Sequence, residues 1–120
     1  MNTDTENTHR HTSKLQARID HHVNLLVRQH KRFEHLADQV DRWAERWSTD
    51  ALRRRLHLAE STEVREKALV ALALQATGAA RMVIDNYIPT DGDEDHDLFH
   101  QVVCVEWERR HDADTPPLAA

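Results

Sequence analysis

The chain has 120 residues, a formal net charge of -5 with histidine neutral, 31% charged and 39% hydrophobic residues, and only two glycines and three prolines. That length suits one domain able to bury roughly two-thirds of its unfolded surface, and the scarcity of turn formers favours helices. The acidic balance weighs against general nucleic-acid binding, which needs cationic surface to neutralise phosphates, and a single cysteine, Cys104, excludes an intramolecular disulfide framework and a cysteine-based zinc site.

Residues 1–12 are polar and read as a disordered arm, with the features of neither a secretory signal nor a membrane anchor. No other stretch is apolar for long enough to span a bilayer, so the cytoplasm is the default expectation.

From Ser13 to Trp47, Ile19, Leu26, Phe33, Val40 and Trp47 recur every seventh residue, and Leu15, Val23, Leu36, Ala37, Trp43 and Ala44 fill the steps between. This is one broad apolar face on a long α-helix. The repeat favours shallow packing against partner helices, and a face wider than a two-position seam suits a globular bundle better than an extended coiled coil. His30 falls where that face should be apolar, with His22 at its border.

Ser48, Thr49 and Asp50 are capping residues that break the chain and restart it as a shorter helix over 50–60, striped by Leu52, Leu56 and Ala59. Ser61 or Thr62 caps a third helix with Glu63 and Glu66 in its first turn. This helix turns almost uniformly apolar from Ala68 to Ile84, which makes it the buried centre of the bundle or an interface. Gly78, among Ala76, Ala79 and Ala80, implies a close packing approach, and Asp85-Asn86-Tyr87 followed by Pro89 ends the element. A fourth helix is expected from Glu94 or Asp95 to Arg110, although Val102-Val103-Cys104-Val105 also has strand propensity. Residues 112–120, with two prolines, form a tail.

The expected fold is therefore all-α: a bundle of about four helices forming one domain over 13–111, with one long N-terminal amphipathic helix. At ~1.5 Å per residue the long helix would span about 50 Å, against about 39 Å and 24 Å for the third and fourth. Part of its apolar face would lie bare in a monomer, so a homodimer is expected.

Chemistry is concentrated near the fourth helix. Asp91, Asp93, Glu94, Asp95 and Asp97 crowd five carboxylates into seven residues. A calcium loop starting at Asp91 would need glycine sixth and glutamate twelfth, where this chain has His96 and Val102, so that motif fails. The segment is instead a helix start whose surplus charge suits a basic or nucleic-acid-binding protein partner. His96 and His100, four apart on one helix face, form a pair able to chelate a divalent transition metal, with Asp93 or Asp97 as an oxygen donor and the edge pair His30 and Glu34 as contributors. Arg53, Arg54 and Arg55 form the densest cationic run, but consecutive residues spread around a helix, which disfavours a groove-binding patch. With no phosphate loop, nucleophile motif or cofactor signature, the leading expectation is a non-enzymatic interaction or regulatory protein. A metal-binding bundle is the alternative and a DNA-binding regulator the third reading.

Overall fold

The computed structural model describes residues 3–89 and 93–114, and among these the order is α1 (Thr3–Arg46), α2 (Thr49–Leu58), α3 (Thr62–Gln75), α4 (Gly78–Asn86) and α5 (Glu94–Asp114), with no strand. Helical backbone begins at Thr3, ahead of the Ser13 start inferred from the pattern, so residues 3–12 continue α1 where an unstructured arm was expected. The tail from 115 onward and Asp91 of the acidic segment lie outside the described residues. None of the described helices is long and apolar enough to cross a membrane.

The seven-residue repeat sets the packing of α1. Phe33, Leu36 and Val40 are buried, while Leu26, Ala37, Trp43, Ala44 and Trp47 pack against the core more loosely. The residue that interrupts the seam is Gln29, which is buried; His30 lies at the edge, half-exposed. The radius of gyration, 18.9 Å, exceeds the roughly 14 Å of a compact chain this long. The cause is α1, whose 44 residues would reach ~66 Å at helical rise, close to the longest dimension of the molecule, 68 Å.

The chain turns at Ser48, which is extended, and its Oγ accepts the Ala51 N–H at 3.1 Å to cap α2. Leu52 and Leu56 then face α3. Gln75, at the far end of α3, closes this corner: its Nε2 donates to the Ala44 and Trp47 carbonyls at 3.2 and 2.8 Å, and its Oε1 accepts from Thr49 Oγ1 at 2.8 Å. One amide thus satisfies two orphan carbonyls at the end of α1.

Ser61 caps α3 through the Val64 N–H, and the run from Ala68 to Ala73 is wholly buried because α3 touches all four other helices. The single third helix expected from the sequence is two helices. Ala76 adopts the left-handed conformation (φ 54°, ψ 30°), Thr77 becomes an N-cap whose Oγ1 accepts from Ala80 N–H, and α4 starts afresh at Gly78. The supposed packing role of Gly78 is also corrected, since a Cβ there would meet nothing within 4 Å; it is the opening residue of α4.

α5 is helical throughout, valines included, and continues past Arg110. Leu98, Phe99, Val102 and Val103 are buried against α1 and α3, so tertiary burial overrides strand propensity. Its last turns cover the α3–α4 break: Trp107 Nε1–H donates to Thr77 O at 2.8 Å, His111 Nδ1–H donates to Ala76 O at 2.9 Å, and the two rings stack 4.4 Å apart.

Candidate functional site

The polar interior of the molecule gathers where α1, α3 and the start of α5 meet. Glu66 is buried in the second turn of α3, because the helix that presents its apolar run to the core turns this position toward α1 and α5. Arg32 Nε–H donates to Glu66 Oε2 at 2.7 Å, and Arg32 Nη2 reaches Oε1 at 3.5 Å. Burial pushes the Glu66 carboxyl up, but the His96 imidazole and Arg32 guanidinium outweigh it and hold the group below the usual carboxylate range.

His96 is 2% exposed. It occupies the inward face of α5 together with Phe99 and Val103, and the Tyr87 ring meets it edge-on with the hydroxyl 2.7 Å from Nε2. Its other nitrogen, Nδ1, lies 3.9 Å from Glu66 Oε1 and has no hydrogen-bond partner. Beside it, Gln29 is 3% exposed, and its side-chain amide makes no hydrogen bond among the described residues. Both side chains line a cavity of about 320 Å³, together with Glu66, Arg28 and Arg32 of α1 and Asp93 and Asp95 at the mouth of α5.

A second polar cluster joins α1 to α5. Glu106, also buried, accepts from Arg110 and has His30 Nδ1 at 3.5 Å and Arg109 Nη1 at 3.6 Å. It is a closed ion-pair network with all of its members on two packed helices.

The residues singled out in the sequence are only partly brought together. Asp93, Glu94, Asp95 and Asp97 are exposed around the first turn of α5, where Asp93 Oδ1 accepts the Asp95 N–H at 3.0 Å and so caps the helix. His96 and His100 do not converge on a common point. His100 Nε2–H donates to the Ile84 carbonyl at 2.8 Å while His96 Nε2 is engaged with Tyr87. His30 turns to Glu106, so the expected edge pair with Glu34 is not made, and Glu34 is exposed. Among the described residues no three His, Cys, Asp or Glu side chains form a group able to hold a metal ion.

Each arginine of the cationic run is engaged. Arg53 and Arg54 pair with Asp50 at 2.7 and 3.1 Å, and Arg55 lies over the stacked rings of Trp43 and Trp47, 3.9 Å from the latter's centroid. Cys104 is half-buried, and burial pushes its thiol up, which disfavours the nucleophilic thiolate.

Gln29 and Glu66 looked like ordinary helix-surface residues, although the repeat Leu26, Gln29, Phe33, Leu36 and Val40 places Gln29 on the seam. The bare part of the α1 face expected from the sequence is a stripe of large apolar side chains on its N-terminal half: Leu15, Ile19, Val23 and Val27, four residues apart and each close to half-exposed; of these only Val27 was not singled out by the spacing. Comparison with known proteins finds no matching family model, no matching curated protein and no matching solved structure.

Proposed function

We propose that this chain is a non-enzymatic interaction protein that works as a homodimer, paired through the N-terminal half of α1, and meets a basic protein partner with the first turn of α5. The observation that carries the reading is the bare stripe of Leu15, Ile19, Val23 and Val27. Downstream, the apolar residues of the same helix are covered by α3 and α5; upstream, the intramolecular cover runs out. Apolar surface left in water favours burial at about 25 cal/mol per Å², and a second copy carries the same stripe, so two-fold pairing is self-complementary.

Glu94 and Asp97 supply the acidic contact. Both are exposed, have no ion-pair partner among the described residues, and lie outside the cavity beneath α5. Their surplus charge would steer and orient a basic surface.

Sedimentation equilibrium tests the pairing. Wild type is expected at twice the chain mass of 14.0 kDa, and Ile19→Glu with Val23→Glu at the single-chain mass with an unchanged melt of the body. A wild-type chain that stays monomeric at tens of micromolar refutes the pairing. The acidic contact predicts that an oligo-arginine peptide binds and weakens with salt, and that Glu94→Gln with Asp97→Asn abolishes this; salt-independent binding would contradict it.

A further inference from the structure

A protein interior rarely leaves a buried polar atom without a hydrogen bond, and here one such atom faces a cavity. His96 Nδ1 is buried and has no partner, and the same cavity is lined by Gln29, whose amide makes no hydrogen bond among the described residues. At about 320 Å³ the cavity has room for roughly ten water molecules at ~30 Å³ each and falls at the lower end of small-molecule pockets.

The charges around it are sorted by side. On the α1 wall, Arg32 is occupied by Glu66, but Arg28, one turn earlier, has no ion-pair partner among the described residues. The Glu66 carboxylate 3.9 Å from His96 Nδ1 is too far to bond and near enough to favour the proton on that nitrogen. Nε2 is then left to accept the Tyr87 hydroxyl proton. Arg28, the Gln29 amide and His96 Nδ1–H thus present three donors, the set that a carboxylate accepts from. On the α5 side stand the carboxylates of Asp93 and Asp95, acceptors for an ammonium.

A simple anion entering here would meet two aspartates, and a simple cation would meet two arginines. A molecule carrying both charges a few bonds apart satisfies each wall. We infer that the cavity beneath the start of α5 binds a small zwitterion of the amino-acid class, its carboxylate held by Arg28, Gln29 and His96 and its ammonium by Asp93 and Asp95. This site is independent of the α1 pairing and of the Glu94–Asp97 contact.

Calorimetric titration of the full-length chain with glycine, L-alanine, L-serine and L-glutamine in turn, and with acetate and methylammonium as the separated halves, tests the inference. At least one of the four amino acids should bind at one site per chain, and about tenfold or more tighter than either half, as expected when a second charged contact is added. Arg28→Met, at an exposed position that leaves the fold intact, and Gln29→Leu should each weaken that binding by about tenfold, and the His96 ring nitrogen resonances should shift on saturation in wild type. The inference is overturned if none of the four binds at millimolar concentration, which would leave His96 Nδ1 to solvent alone. Acetate binding as tightly as the best amino acid, or an affinity indifferent to Arg28→Met, would overturn it equally.

Discussion

Replacing Glu66 by glutamine removes one charge from the centre of the α1–α3–α5 junction while keeping volume and one acceptor oxygen. The carboxylate accepts a 2.7 Å bond from Arg32 and a marginal one at 3.5 Å, and it faces His96. Exposed ion pairs contribute about 0–1 kcal/mol, and breaking a buried pair costs about 3–5 kcal/mol. The Glu66 side chain is 8% exposed and that of Arg32 43%, so solvent screens one partner and an intermediate loss of about 2 kcal/mol is expected. With an unfolding entropy of roughly 2.1 cal/mol/K per residue, this is a fall in Tm of roughly 8 °C. The pH dependence has a definite sign. Because the folded-state carboxyl titrates below its usual value, its contribution is present above the ordinary carboxylate pKa and disappears as pH falls through the folded one. Thermal melts of wild type and Glu66→Gln from neutral pH downward should therefore converge in acid. A gap that is absent at pH 7, or that keeps its full size in strong acid, would refute the electrostatic account of this junction.

The Gln75 corner and the α3–α4 break can be tested the same way. Gln75→Leu leaves the Ala44 and Trp47 carbonyls and the Thr49 hydroxyl without their partner, and urea unfolding should show a loss of about 2 kcal/mol. Ala76→Gly relieves a left-handed alanine, an effect of about 1–2 kcal/mol, against a lost buried methyl and a looser unfolded chain, so it should be nearly neutral. Ala73→Gly, in the buried helix interior, combines lost helix propensity with a lost methyl and should cost about 2 kcal/mol. Equal losses at the two positions would mean that the helix runs unbroken through Ala76.

The long helix was legible because the seven-residue spacing from Ile19 to Trp47 is a local signal that solvent and core read in the same way. The break at Ala76 was hidden because an alanine in the left-handed region leaves no mark in composition, and the alanine-rich run around it matches a continuous helix. Thr77 followed by Gly78 was the available hint, a capping residue before a flexible one. Glu66 was read as a favourable first-turn charge because its partner Arg32 is 34 positions away, beyond any local pattern. His96 was read as half of a chelating pair with His100, yet its spacing to Phe99 and Val103 is the inward repeat of α5. The acidic surplus around it was legible, and so was a cap at Asp93 or Asp95, of which Asp93 takes the role by accepting the Asp95 N–H.

α3 touches every other helix, and this has a consequence for the order in which the chain can be made. α1 leaves the ribosome ahead of the other described helices, carrying Phe33, Leu36 and Val40, but their cover comes from α3, which starts at Thr62, and from α5, which starts at Glu94. At roughly 5–20 residues per second, synthesis keeps that apolar face waiting for seconds. α1 and α2 together have no core to close on until the alanine- and leucine-rich run of α3 emerges, and the junction of Arg32, Glu66 and His96 needs three distant parts of the chain at once. Folding is therefore gated by the synthesis of α3 and α5: the earliest of the described helices to be made is among the last to be sealed.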